Sequence, residues 1–597
     1  MMRLLVAVAV PSLCLSFGYF KEEVCSEAEY IVIGGGSAGA IVATKLAKAG
    51  SCVTLIEAGP DDRDYRGDGA PLDVAVPVNW AGLSAAAPEI IHASWTAPVW
   101  ETERPYDFTA KADLGYPISD FAEQEYSGKI LGGSSSVNAM VYIRGADAIY
   151  DRWGSDRWNS SVLLPKWEAL EEELGPRSTS LMTPAATAWV DAAYEEFGFL
   201  EISEEDCAAD IANIGQDAAG FCRGISRSIS AENGERLSTA YTFLTDEVRA
   251  LPNLKILVST RVLTLQFYDK SAASPRIIGV VVKSDAEENE YYIGASREVI
   301  VSAGAKLSPQ LLLISGIGPA AELEAVGVSP IVDSPGVGKN LTSHVAAFIF
   351  LPVKQPDFGI VPCCFTPTTS LVDFMTFFSS DICKQTNCGL ADISVVFANL
   401  PAFVAASPEE LARLGALPFG VVAAGVSRFT GSKARGEVIL KSSDPYDWPL
   451  VDPNYRGDPE DVIIMKEAIE KVMAVANAAN DTFGEGLRFP FQNSTLEETI
   501  ERTSQTYWHP LTTNRMGDDI NAVVDFDLKV YGVRGLRVID NSIAPIMPNA
   551  NTNPCAMIIG FHGADIILEE ENPIAQCPTA CHPLVEGDAS AYDCSAC

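Results

Sequence analysis

Histidine is scarce in this chain: among 597 residues only five occur, His92, His344, His509, His562 and His582. Any imidazole chemistry therefore rests on very few positions. Basic residues are also in short supply, 42 against 79 acidic ones, and the formal net charge is −37. That balance argues against nucleic acid and anionic membrane surfaces as partners. Beyond the N-terminus no apolar run approaches the ~18 residues of a membrane span, so no stable span is expected. No solenoid-length repeat is visible, and no low-complexity tract outside a Cys-rich tail. What is present, 47% hydrophobic and 20% charged residues, describes a globular protein too long for one ordinary core.

The N-terminus reads "MMRLLVAVAVPSLCLSFGYF". One Arg, an apolar run and then "KEE" have the layout of a secretory signal peptide over 1–20. Fourteen cysteines agree with an oxidising compartment. Cys207/Cys222, Cys383/Cys388 and the tail (Cys577, Cys581, Cys594, Cys597) are spaced as local disulfide loops. A zinc knuckle with His582 is the rival for the tail, but a secreted chain favours disulfides, and no metal site is expected. An odd number of cysteines remains once Cys14 leaves, with Cys52 and Cys555 the candidates for an unpaired thiol. Sequons begin at Asn159, Asn340, Asn480 and Asn493, consistent with a secreted glycoprotein.

The first ordered unit is "EYIVIGGGSAGAIVATKLAKAGSCVTLIEAG". An apolar run (Tyr30–Ile33) enters a glycine cluster, a small-residue helical pattern spans Ala38–Ala49, and a second apolar run (Cys52–Ile56) ends at Glu57. This is a βαβ unit. Gly34, Gly36 and Gly39 have the G-x-G-x-x-G spacing. They supply a tight turn, a close approach to a pyrophosphate, and close helix–strand packing, with Ser37 at the helix entrance. Glu57 is placed to bind ribose hydroxyls, which favours NAD or FAD over NADP.

Two further glycine-rich stretches, "GKILGGSSSVNAMVYIRGADAIYD" (Gly128–Asp151) and "GAKLSPQLLLISGIG" (Gly304–Gly318), resemble signature segments of the glucose–methanol–choline (GMC) oxidoreductases. The resemblance extends to "GERLSTAYTFL", "SPGVGKNL", "DPNY" and "VYGVRGLRVIDNSIAPIMP", between ~28 and ~568. It implies FAD as the dinucleotide. Its fold is α/β, α+β overall: a Rossmann-like FAD-binding domain assembled from discontinuous segments, plus a substrate-binding domain with an antiparallel sheet and helices. The expected segments are 28–160, 231–345 and 511–570 for FAD, 161–230 for a helical insertion or lid and part of the substrate domain, 346–510 for substrate, and 571–597 for the tail. The cofactor-binding residues it implies are Gly132, Gly133, Ser134, Asn138 and Val141 in the second glycine loop, Val262 near adenine, Asp540 and Asn541 near the diphosphate–ribityl region, and Thr552. Some relatives carry a flavin-linking histidine where this chain has Val137, so non-covalent FAD is expected.

The resemblance places His509 at the active-site histidine, in "HPLTTNRMG", with Thr512 and Asn514 replacing the usual small residues of the motif. That departure is read as a change in the pocket floor. Asn551, just ahead of a helix started by Pro554 with Asn553 or Thr552 as N-cap, takes the place of the substrate-facing partner. The function implied is oxidation of a CH–OH donor. A hydride passes to flavin N5, a neutral His509 with a pKa near ~6.5 acts as base, and Asn551 holds the alcohol oxygen. The electron acceptor is O2 or another species. His344 is read as modestly structural, as are His92, His562 and His582. A hydroxynitrile lyase and a non-catalytic secreted flavoprotein are the alternatives. A fatty-acid photodecarboxylase is disfavoured, because "CGLADISVVFANLP" holds Cys388 but no Arg.

Overall fold

The computed structural model describes residues 25, 27–67, 74, 88–95, 124–179, 184–203, 206, 211–222, 225–227, 235–354, 372–398, 421–455, 457–483, 495–497, 500 and 504–571. The expected signal segment, Cys207, Asn493 and nearly all of the Cys-rich tail lie outside them.

The βαβ unit forms as a strand Ala28–Ile33, a helix Gly39–Lys48 and a parallel strand Val53–Ile56. Tyr30–Ile33 and Val53–Ile56 are buried without alternation, and apolar apart from Thr54, because both faces of this sheet are covered. In spatial order the sheet runs Thr260–Phe267, Ile277–Ser284, Tyr291–Val301, Ala28–Ile33, Val53–Ile56 and Leu254–Leu257. Leu536–Val538 adds in parallel to Tyr291–Val301. The Rossmann layer is thus assembled from three distant parts of the sequence. The small residues of the first helix let the last helix, Thr552–Glu571, pack close: a Cβ on Gly560 would stand 2.6 Å from the Ala38 carbonyl oxygen. The helix Ser160–Leu174 lies on the same core through Leu163, Trp167, Leu170 and Leu174.

The second sheet runs Ser504–Thr506, Val345–Pro352, Val421–Arg428, Ile393–Ala398, Val372–Phe378, Ala219–Cys222 and Leu200–Ile202. It is antiparallel except for its last pair. Two helices, Pro184–Phe197 and Glu460–Ala478, share its core. Trp189 packs against the stacked pair Phe374 and Phe397, centroids 5.6 and 4.9 Å away, and its indole N–H donates to the Val472 carbonyl at 3.2 Å. A bulge between Val372 and Phe374 lets Val372 join a separate cluster with Phe377, Val396 and Phe429.

Cysteine pairing departs from expectation at one point. Cys52 is bonded to Cys25, and Cys383 to Cys388. The Glu29 amide donates to the Cys52 carbonyl at 2.8 Å, which draws the chain ahead of the first strand alongside Cys52 and leaves the two Cα atoms 5.9 Å apart. Cys222 is also in a disulfide. Cys555, buried in the last helix, is free. Among the described residues no helix is long and apolar enough to cross a membrane, and no cluster of metal-ligating side chains occurs.

Candidate active site

A cleft of about 620 Å³ runs from the end of Val53–Ile56 to the second sheet. Gly34, Gly36, Ser37 and Glu57 line its near end, and Gly133, Ser134, Asn138 and Val141 line one side. Val262, Asp540, Asn541 and Thr552 complete the walls, and His509 and Asn551 lie in the same space. Gly39 and Gly132 do not reach the lining. A Cβ on Gly39 would stand 2.0 Å from the Gly34 oxygen, so this glycine serves helix–strand packing. Gly132, at φ +85°, turns its amide onto the Gly35 oxygen at 2.7 Å and so joins the two glycine loops.

The near end is made of backbone. Gly34 sits at φ +94°, where a Cβ would meet the Ser302 oxygen at 2.5 Å, and a Cβ on Gly133 would meet the Gly36 Cα at 2.7 Å. Such contacts admit only glycine and leave room for a ligand to approach the main chain. Both Glu57 carboxylate oxygens accept backbone amides, Gly35 N and Gly59 N at 2.8 Å each; burial pushes this carboxyl up to about 6 against those bonds. The starts of the first and last helices both open on the cleft, joined by a Ser37 Oγ to Asn553 Oδ1 bond of 2.7 Å. Two positive helix ends facing one space suit an anionic group. The Asn541 and Asn551 Oδ1 atoms are buried without a protein partner, as befits groups that meet a bound ligand. These features fit a flavin dinucleotide.

Asp540 contributes mainly by bracing. Its carboxylate accepts from Gly304 N (2.9 Å), Ser308 Oγ (2.5 Å) and Ser542 N (2.8 Å), and burial raises its pKa. Arg236, absent from the sequence-derived set, does the same for the second glycine loop. It is fully buried and donates to the carbonyls of Val74 (2.9 Å), Ser135 (3.2 Å) and Asn138 (2.6 Å), and to Asn138 Oδ1 (2.9 Å). Burial, with Arg66 nearby, lowers its pKa to about 9. Its place inside "GERLSTAYTFL" was the available signal.

His509 lies on a segment with left-handed residues on either side, Trp508 (φ +56°) and Thr512 (φ +73°). Leu511 and Thr342 exchange backbone bonds of 2.9 and 3.2 Å, and the amides of Thr512, Asn514 and Met516 reach the carbonyls of Asn541, Ser542 and Ile543. Holding non-glycine residues at these φ values requires such a surround. The two departures from the motif do not form the pocket floor. Thr512 and Asn514 are buried away from the cleft: Thr512 bonds to the Asn340 carbonyl, and Asn514 Nδ2 bonds to Ser542 Oγ at 3.1 Å. They therefore fasten the loop.

His344, expected to be modestly structural, touches His509 directly, Nδ1 to Nδ1 at 2.8 Å. Its ring stacks on Phe429 at 3.9 Å, and its Nε2 faces the Phe429 carbonyl oxygen at 3.3 Å. On the other side, His509 Nε2 is 3.5 Å from Asn551 Nδ2. Burial, then the neighbouring His344, hold His509 well below the ordinary histidine pKa, not near ~6.5. Burial brings His344 down to about 3. Tyr507 stands 4.9 Å from His509, centroid to centroid, and Trp508 lies 6.4 Å from Tyr126. The last helix begins at Thr552, earlier than a Thr552 or Asn553 cap allows, so Asn551 itself occupies the cap position.

The remaining histidines are varied. His562 bonds to the Arg157 carbonyl at 2.9 Å and meets Trp158 edge-on at 4.8 Å, a structural setting. The side chain of His92 and all of His582 lie outside the described residues.

Comparison with known proteins agrees with this geometry. The GMC oxidoreductase family matches twice, its N-terminal part over residues 28–346 and its C-terminal part over 432–560. The chain is 30% identical to the FAD, quinone-type glucose dehydrogenase of Drosophila pseudoobscura pseudoobscura, covering 92% of this chain and 88% of that protein. It is also 30% identical to the 5-(hydroxymethyl)furfural oxidase of Methylovorus sp. (strain MP688), covering 91% and 99%. The crystal structure of a pyridoxine 4-oxidase from Mesorbium loti superposes with a TM-score of 0.72 at 24% identity, covering 90% of this chain and 99% of that one. A glycine cradle joined to a buried histidine–asparagine pair is thus placed in a lineage, and the chain belongs to the GMC oxidoreductases, FAD-dependent enzymes that oxidise CH–OH donors.

Proposed function

We propose that the protein oxidises neutral primary alcohols bearing an apolar or aromatic substituent, with His509 as the base and Asn551 as the orienting partner. The observation that carries this reading is the placement of His509 Nε2 beside the Asn551 amide, inside walls made by Ile91, Tyr126, Val372, Val396 and Tyr507. Among the described residues, the charged groups of the cleft, Glu57, Arg261, Lys306 and Asp540, sit on the elements that cradle the nucleotide. Among the described residues no carboxylate faces His509 to hold a quaternary ammonium, and the alcohol's side chain meets hydrocarbon.

When bound, the flavin supplies the hydride acceptor, and all remaining work falls to the protein. His509 is neutral because burial disfavours its cation, so it accepts the hydroxyl proton at Nε2 without first losing one. The Asn551 amide donates to the alcohol oxygen and fixes the carbinol carbon. The buried start of the last helix turns a positive dipole end into the cleft and would favour negative charge on a group held beside it. Val137 lines the cleft where some relatives carry a linking histidine, which supports non-covalent FAD. Acid precipitation would then release all the yellow colour into the supernatant. The disulfides and the signal-like N-terminus support secretion, for which cleaved N-terminus sequencing of protein from the medium is the test.

The deciding experiment mixes the purified yellow protein anaerobically with benzyl-type and medium-chain primary alcohols, choline and glucose, and follows flavin bleaching. The expected result is bleaching by the first two classes at least ~10-fold faster than by the others, the value of about one or two well-buried methylenes. Preference for choline or glucose would overturn the substrate class. Admitting air afterwards separates an oxidase from a dehydrogenase.

A further inference from the structure

The geometry points to His344 as a positioning residue that fixes the tautomer of His509, so that the bare nitrogen of the base is the one facing the substrate. The argument is one of proton counting. Two neutral imidazoles that meet Nδ1 to Nδ1 at 2.8 Å share a single hydrogen between them. Two hydrogens would clash, and none would leave two lone pairs opposed. Which ring carries it is decided at the far side of His344. There Nε2 faces the Phe429 carbonyl oxygen, which can only accept, so Nε2 of His344 is the protonated nitrogen. A neutral ring has one N–H, so His344 Nδ1 is bare and His509 Nδ1–H donates to it. His509 Nε2 is then bare as well. The Asn551 amide agrees, since its Nδ2 is the atom turned toward Nε2.

Among the described residues, His344 is the hydrogen-bonding side chain that meets His509 at Nδ1 and so holds that tautomer from the side away from Asn551. His509 has aromatic neighbours, Tyr507 and Phe429, with ring centroids 4.9 and 6.5 Å away. Its alternative tautomer would present an N–H to the alcohol oxygen and could take no proton. Stacking on Phe429 holds the His344 ring plane, and burial keeps both rings neutral, so the arrangement persists across the ordinary pH range. In the step itself the alcohol O–H bond breaks and its proton goes to His509 Nε2. The resulting imidazolium keeps its Nδ1–H on His344, which supplies the acceptor that a buried cation requires.

The catalytic consequence rests on His509 being the base, but the tautomer can be read without substrate. Histidine-labelled ¹⁵N holoenzyme would be examined by long-range ¹H–¹⁵N spectra, with His509 assigned by the signals lost in His509→Gln. The expected wild-type pattern is a protonated Nδ1 and a bare Nε2. In His344→Leu the Nε2–H form should appear, with flavin reduction slower by about 10- to 100-fold and FAD content unchanged, the scale on which a lost orienting partner is felt. His344→Asn, which returns an acceptor near the same place, should recover most of that rate. A protonated Nε2 in the wild type overturns the proposal, even if neither variant folds. So does a His344→Leu protein with wild-type spectrum and rate. The expected wild-type spectrum in a protein that no alcohol bleaches would sink the alcohol reading and leave the tautomer assignment standing.

Discussion

Along the cleft, the end lined by Gly34, Gly36 and Gly133 and the end lined by Tyr507, His509 and Asn551 are built on different principles. The first is backbone: tight glycine contacts, helix starts, and carboxylates such as Glu57 and Asp540 whose oxygens are taken by amides and hydroxyls. The second is side chain against side chain, drawn from the loops after one sheet and the face of another. On the proposed function, backbone geometry recognises a group common to many enzymes, a pyrophosphate, and tolerates no added atom. Side-chain geometry, on the same proposal, carries the chemistry, and its lesions need not disturb the cofactor. The two ends are therefore expected to fail differently.

The sharpest separation comes from His509→Ala, which should slow flavin reduction by at least ~100-fold with FAD still bound. Stopped-flow reduction beside the flavin-to-protein absorbance ratio measures both; reduction at the wild-type rate would remove the histidine from the chemistry. The converse lesion is Gly34→Ala. Its methyl group would press on the Ser302 carbonyl at 2.5 Å from a strained φ, and the protein should lose FAD, retaining less than about a tenth. A fully yellow Gly34→Ala protein with impaired chemistry would erase the distinction between the two ends.

A finer probe is pH. Because burial and His344 hold His509 well below the ordinary histidine pKa, the acid limb of kcat/KM should lie well below the ~6.5 of a free histidine, whereas a limb near 6.5 would contradict that environment. His344 makes the most specific prediction. Its folded pKa of about 3 lies under the unfolded value, so its contribution to stability is complete above pH ~6.5 and is lost as pH falls toward 3. Across that window the loss is about 1.4 kcal/mol per pH unit, the weight of one proton. Chemical denaturation of His344→Asn over the same window should show a slope shallower by about one proton; an unchanged slope would mean that His344 is charged in the folded protein.

The same contrast explains what could be read from sequence. The βαβ unit is local: the turn glycines, the apolar strands and Glu57 lie within Ala28–Glu57, and their spacing is itself the geometry. His509 was legible because its motif is contiguous. His344 was not, because its meaning lies in a contact across 165 positions, created only when the strand Val345–Pro352 pairs with Ser504–Thr506. Cys52 was misjudged for a related reason: its partner precedes the first strand, and only the pairing of Glu29 with Cys52 brings them together. Thr512 and Asn514 stand out in the motif but face inward, and which way a loop residue points depends on partners such as Asn340 and Ser542.

The first sheet has one more consequence. Its earliest strands are complete by Ile56, yet the strand that joins them last is Leu536–Val538, followed by Asp540, Asn541 and the helix that opens at Thr552. During synthesis the cradle thus emerges first as half a vessel, and its closing wall leaves the ribosome hundreds of residues later. At roughly 5–20 residues per second that interval lasts tens of seconds. Capture of a flavin by the complete cradle is therefore a late, essentially post-translational event, and a chain truncated before Leu536 is made without the closing wall of the cleft.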